Sequence, residues 1–185
     1  MALFFMLISV VIVQRMIELL IANKNALVIK EKGGYEVGRE HYKYIVALHI
    51  GFFASFVSEV LLFDRSLFTW WWFPLLLFGA AQLARAWSLS SLGVFWNTRI
   101  IVLPGAEVIA KGPYRFMKHP NYVIVATELI ALPLLFQAYV TAVVFTILNA
   151  VMMIIRIPIE ERALMEATNY QKVFQSQFRF FPKFK

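Results

Sequence analysis

The chain has 185 residues, 61% of them apolar and only 16% charged, with 18 Lys and Arg against 11 Asp and Glu. This composition, with a mean hydropathy of +0.69, excludes a disordered chain, which needs low hydrophobicity, and an ordinary soluble domain, which is about 45–50% apolar and about 25% charged. Cysteine is absent, which excludes a disulfide scaffold, a thiol nucleophile and thiolate-held zinc or iron–sulfur centres. What remains is an all-α integral membrane protein with a basic water-facing surface.

A hydrocarbon core of about 30 Å takes roughly 20 apolar residues of helix. Candidate spans run from Ala2 to Ala22, Ile45 to Phe63, Trp70 to Leu92, Tyr122 to Phe136 and Tyr139 to Ile157. The first leads into Gln14, Arg15 and Glu18 rather than a small-residue cleavage site, and so reads as a span and not a cleaved signal. The fourth rises only about 22 Å and contains Pro133. It reads as a short or tilted helix, half of a hairpin with the fifth, joined by a tight turn at Gln137-Ala138. Lys and Arg concentrate in alternate connections: Lys24 to Lys43, Arg99 to Lys118, and the tail from Arg162 to Lys185. That alternation predicts five spans with the N-terminus outside and the C-terminus in the cytoplasm. The single membrane domain, 1–185, thus divides into three N-terminal spans (1–92), a connection (93–121), a helical hairpin (122–157) and a cytosolic helix and tail (158–185). Residues 23–44 read as a plain cytosolic linker; the competing reading is a lid hinged at Gly33-Gly34, with Tyr35, Tyr42 and Tyr44 as contacts.

Ionisable residues inside spans are costly and call for a role. Arg15 and Glu18, three apart on one helical face, are expected to pair locally. Glu59 lies near the outer end of the second span and can reach the interface. Arg85 and Glu128 can pair between helices, either as structural glue or as groups that meet a substrate. Asn149, Arg156 and Glu160 share a face of the last span, which Pro158 is expected to kink or end. His41 and His49, eight apart, make no standard metal pair, and no metal site is expected. Neither is a nucleic-acid partner.

The connection 93–122 is dense in residues that constrain the backbone: Pro104-Gly105, Gly112-Pro113-Tyr114, and His119-Pro120-Asn121-Tyr122 with proline in the first turn of a helix. Glycines allow close backbone approach, and a helix N-terminus offers free N–H groups to an anion. A cofactor site and a well-made re-entering loop both fit this pattern.

Two segments in order, Gly112-Pro113-Tyr114-Arg115-Phe116-Met117-Lys118-His119-Pro120-Asn121-Tyr122 and Arg156-Ile157-Pro158-Ile159-Glu160-Glu161-Arg162-Ala163-Leu164, resemble the isoprenylcysteine carboxyl methyltransferase family. The resemblance implies methyl transfer from S-adenosylmethionine to a lipophilic acceptor. By position it implies a cofactor pocket lined by Gly112, Pro113, Tyr114, His119, Pro120, Asn121, Tyr122, Glu160, Glu161 and Leu164, with Arg156 facing the acceptor. Lys118 stands where the family has Arg before His-Pro, and lysine lacks the bidentate grip on a carboxylate, which argues against a prenylcysteine carboxylate. Ser91 to Ile100, with Gly38 to Tyr42, is more similar to a bacterial branch whose members O-methylate long-chain alkylpyrones and are associated with type III polyketide synthases. Trp96, Asn97, Arg85 and Glu128 join Arg156 as candidate acceptor-binding residues. The competing readings are a prenylcysteine methyltransferase, a phospholipid amine N-methyltransferase, and a non-enzymatic carrier or assembly factor. A carrier is expected to show inverted repeats, and none is visible.

Overall fold

The computed structural model describes residues 1–183; Lys185, counted in the basic tail, lies outside the described residues. Six α-helices and two short strands follow the order α1 (Ala2–Glu31), β1 (Tyr35–Val37), α2 (Arg39–Leu62), α3 (Trp72–Leu92), β2 (Ile100–Val102), α4 (Pro120–Leu135), α5 (Tyr139–Ala167) and α6 (Tyr170–Phe174). Among the described residues three helices, α1, α2 and α5, are long and apolar enough to cross a membrane, and α4 is a shorter apolar helix of 16 residues. α3, of 21 residues, packs on α4, α4 on α5, and α5 on α2.

The bundle has two distinct ends. At the hairpin end, α4 and α5 meet in the tight turn that the sequence predicts, with Gln137 in the left-handed region at φ 56°. The α2–α3 connection packs on this turn: Phe68 N–H donates to Leu135 O at 3.0 Å, and the Gln137 amide donates to Ser66 O and Leu67 O. Phe4, Phe56 and Phe136 form the centre of the core here, with edge-to-face ring centroids 5.3 and 4.9 Å apart from Phe4. Glu59, near the end of α2, has a protein partner instead of an exposed position. It is buried and caps α5, accepting from Val140 N–H at 3.1 Å and from Thr141 N–H at 2.7 Å. The free amides and the positive dipole end of a helix N-terminus stabilise a carboxylate there.

At the other, loop end, α2 starts at Arg39 rather than Ile45, and two further boundaries differ from expectation. Residues 23–31 continue α1 instead of forming a linker. Nothing in Asn23 to Glu31 breaks a helix until Gly33, whose φ of +91° provides the left-handed stop. Gly34 N–H then bonds Ile29 O at 2.9 Å, and a Cβ on Gly34 would run into the Ile29 side chain. The chain next forms β1, which pairs antiparallel with β2 in the register Tyr35–Val102, Glu36–Ile101 and Val37–Ile100. The second difference is Pro158, which does not end α5; the helix runs on to Ala167. A mid-helix proline costs about 3 kcal/mol or more, but here the turn beyond it is anchored through Glu160 and Glu161, as described below.

Between the ends, α1, α3 and α4 are joined by a buried ionic cluster. Arg15 meets Glu18 at 2.6 Å, as expected, and also Glu128 at 2.7 Å. Arg85 meets Glu128 through Nε at 2.9 Å and again through Nη2, and Glu18 at 3.2 Å. Gln82 donates to Glu128 at 2.7 Å, and Gln14 donates to Gln82 at 2.7 Å. Two cations and two anions leave the cluster neutral, which is the condition under which buried charge is tolerated.

Candidate active site

A cavity of about 660 Å³ opens between the loop end and the helices, within the usual range of about 300–1,000 Å³ for a small-molecule site. Its upper wall comes from the connection 93–121, the start of α4, the end of α5 and α6. Its lower wall comes from α1, α2 and the middle of α5, including Ile12, Met16, Ile50, Phe53 and Met152. One space therefore runs from polar loops to apolar helix faces.

Local folding positions each polar group. Pro120 opens α4, with His119 as its N-cap residue. Backbone bonds tie the C-terminal segment along this start: Lys118 N–H to Phe178 O and His119 N–H to Arg179 O, both 3.0 Å. The Glu161 carboxylate receives Arg179 through Nε at 3.0 Å and Nη2 at 2.6 Å, and sits 3.0 Å from His119 Nε2. Glu161 thus bolts α5, α4 and the C-terminal segment together and fixes the His119 ring. Arg179 is held above its ordinary value chiefly by the hydrogen bond to Glu161.

A second chain of bonds crosses the cavity wall. Tyr122 O–H donates to Glu160 Oε2 and accepts from Arg156 Nε at 3.0 Å. Arg156 Nη2 donates to Thr98 O at 2.7 Å. Nη1 of Arg156 has no protein partner among the described residues. The Thr98 hydroxyl lies 3.2 Å from Tyr42 O–H, which brings the start of α2 to the same place. Arg99 sits over the Tyr42 ring, 5.0 Å from its centroid.

Of the residues singled out in the sequence, Tyr114, His119, Asn121, Tyr122, Arg156, Glu160 and Leu164 come together on the cavity wall, with Trp96, Asn97 and Arg85. Gly112, Pro113, Pro120 and Glu161 do not line it, and neither does Glu128, whose oxygens are taken by Arg15, Arg85 and Gln82. Gly112 serves packing: its φ is +55°, and a Cβ there would overlap the Ser91 hydroxyl and come within 2.9 Å of Trp87 Nε1. Asn97 braces the fold as well, donating to Ala22 O at 2.9 Å and accepting from Arg99 N–H at 3.0 Å. His49, Tyr170 and Phe174 also line the cavity, and no motif marks them; Tyr42 and Thr98 line it too and lie in the two stretches that resemble the bacterial branch. Arg179 is found only through its partner. The basic tail carried a signal of charge but none of position.

Several buried polar atoms on this wall lack partners among the described residues: Asn121 Oδ1, Tyr170 O–H and Trp96 Nε1. Burial, followed by the negative charges of nearby glutamates, pushes the Tyr114 and Tyr170 hydroxyls above their ordinary value of 10.0, so both remain protonated donors.

Residues 72–166 match the isoprenylcysteine carboxyl methyltransferase (ICMT) family. The chain belongs to this family. Its relatives include YpbQ, an uncharacterized protein of Bacillus subtilis (strain 168), 46% identical over 163 residues that cover 88% of this chain and 97% of YpbQ. An uncharacterized protein of Haemophilus influenzae is 26% identical over 149 residues, covering 78% of this chain and 83% of that protein. ICMT-family enzymes are membrane methyltransferases that use S-adenosylmethionine. The residues present fit that cofactor. The orphaned Asn121 oxygen suits an amine, the Glu160 carboxylate suits hydroxyls, the Tyr170 O–H offers a donor, and Tyr114, Tyr122 and Phe174 offer flat surfaces for a base.

Proposed function

We propose that the chain transfers a methyl group from S-adenosylmethionine to an oxygen of a lipophilic acceptor, an alkylpyrone-type polyketide of the kind a type III polyketide synthase supplies. In this reading the protein crosses the plasma membrane of a bacterium five times, with its N-terminus outside and its site open to the cytosol. The observation that carries the reading is the single cavity that joins the polar loop end to the apolar faces of α1 and α2. A cofactor from water and an acceptor from lipid can share it without the acceptor's chain entering water, which costs about 0.8 kcal/mol per methylene.

Bound there, the cofactor would supply an electrophilic sulfonium methyl to the acceptor oxygen and leave as a thioether, with an enolic acceptor's proton passing to water. The protein's part is to hold and orient. Tyr114, His119, Asn121, Tyr122, Glu160, Leu164 and Tyr170 would hold the cofactor. Arg156, fixed through Nε and Nη2, keeps Nη1 for the acceptor oxygen. Alignment of this kind supplies up to about 7–11 kcal/mol of barrier lowering. An acidic enol needs no strong base, so His119, tied to Glu161, serves position.

Calorimetry of the detergent-purified protein should show S-adenosylmethionine binding; no binding at millimolar cofactor removes every methyltransferase reading. With methyl-labelled cofactor and membranes given alkylpyrone, prenylcysteine or phosphatidylethanolamine, label should enter the pyrone. Label in prenylcysteine or phosphatidylethanolamine alone overturns the acceptor assignment.

A further inference from the structure

The lower half of the cavity carries two polar groups that the proposed methyl transfer does not use. Asn149 is only 4% exposed, lines the cavity, and has no hydrogen-bond partner among the described residues. An amide that faces a cavity without a protein partner is satisfied only by what enters the cavity, so its presence in an otherwise apolar stretch points to a ligand. His49 lines the same space. Its Nδ1 lies 2.8 Å from Ile45 O; a carbonyl there takes the ring's proton on Nδ1 and leaves Nε2 as an acceptor.

The two groups lie at one depth. A Cβ on Gly51 of α2 would stand 3.4 Å from the Phe145 ring of α5, which marks a level shared by these antiparallel helices. Towards the loop end from there, His49 is two residues along α2 and Asn149 four along α5, a difference of about 3 Å at 1.5 Å per residue. By the same measure Asn149 lies about 10 Å below Arg156. The neighbouring charges, Arg15, Glu18, Arg85 and Glu128, cancel within their cluster. What surrounds the pair otherwise is apolar: Met16, Phe53, Val125 and Met152.

We infer that Asn149 and His49 form a second polar subsite that receives an uncharged hydroxyl or carbonyl group on the acceptor's chain, about two helical turns from the oxygen held at Arg156. An amide supplies both a donor and an acceptor, and an imidazole nitrogen an acceptor, so a hydroxyl is met on both sides. A phosphate or carboxylate finds no unpaired cation there. This deepens the proposed function and rests on it: the natural acceptor is a chain with a second oxygen function, not a plain alkyl tail.

The test uses binding, so that it stands apart from turnover. Two tritiated ligands, O-methylated alkylpyrones that cannot react, differ only in a mid-chain hydroxyl about 10 Å from the ring, set by the two-turn spacing. Protein in nanodiscs should bind the hydroxylated ligand at least tenfold more tightly. Asn149→Leu and His49→Phe should each erase most of that preference while leaving the plain ligand's affinity within threefold. Asn149→Ser, which keeps a hydrogen-bonding group, should retain part of the preference and covers the case in which the leucine variant does not fold. Equal binding of the two ligands by the unaltered protein, a preference unchanged in the variants, or binding of neither ligand overturns the inference. If the preference holds but no acceptor gains labelled methyl, the subsite stands and the methyl-transfer reading falls.

Discussion

Arg156 shows how a single residue acquires a role from its surroundings. Its bonds to Tyr122 and Thr98 fix the guanidinium from α4 and from the connection 93–121, so the group is placed before any ligand arrives. Arg156→Ala should reduce turnover by at least a hundredfold, yet leave cofactor affinity within about tenfold, or about 1.4 kcal/mol. Arg156→Lys should remain far below the unaltered protein, because an ammonium cannot hold Tyr122, Thr98 and an acceptor from one planar fork. Kinetics at saturating cofactor, with calorimetry, separates the two effects; a large loss of cofactor binding would assign Arg156 to the other ligand. At this scale the sequence was informative where motifs are dense. Tyr114, His119, Asn121, Tyr122 and Glu160 sit in two short runs and all reach the wall. Asn149 could be placed on the face of Arg156 by helical spacing alone. His49 and Arg179 could not be found, since a lone histidine and one arginine in a basic tail become informative only when the fold supplies their partners.

Among the elements, the helices were legible from apolar runs, and their ends were not. The run that sets a span stops at Ala22, but the helix stops where the backbone is forced out of it, at Gly33. The β1–β2 ribbon was hidden for the opposite reason. Three residues per strand are too few to show a period, and each strand is stable only against the other. Charge reinforces the ribbon: Glu36 receives Lys30 at 2.9 Å and lies 3.6 Å from Arg99. Burial works to raise the Glu36 carboxyl, but the hydrogen bond and charge of Lys30, with Arg99 and Arg39, outweigh it and hold it below its ordinary 4.5. A carboxyl lowered by folding stabilises above its unfolded value and loses that contribution as pH falls through its folded one. Amide protection at Ile100 to Val102 should therefore be level above pH 4.5 and decline below it. Glu36→Gln should show the lower protection at every pH. An unaltered decline in that variant would assign the effect to another group.

For the molecule as a whole, alternation of basic segments and the hydrogen bonds between connections point the same way. The connection 93–121 meets the end of α5, where Gly105 N–H donates to Ala167 O at 2.9 Å, and residues 63–71 meet the α4–α5 turn at the far end. Because the chain has no cysteine, single substitutions can report sidedness without a background. In intact bacterial cells a membrane-impermeant maleimide should label Ser66→Cys. Lys111→Cys and Glu166→Cys should react only after permeabilisation, and reaction of those two from opposite sides would refute the shared pocket. The all-helical membrane class was the most readable level, since it follows from hydropathy. The common cavity was not readable, because it depends on residues from α1, α2 and α5 that lie far apart in the chain.

The two-stranded ribbon also constrains how this protein can be recombined with its relatives. It staples the α1–α2 junction to the backbone just beyond Thr98, so the helices that face lipid and the segment that meets Arg156 are one mechanical part. A chimera that exchanges the first two helices for those of another family member must carry residues 97–103 with them, or the strands will be mismatched and the graft will misplace Arg156 along with the lipid-facing wall.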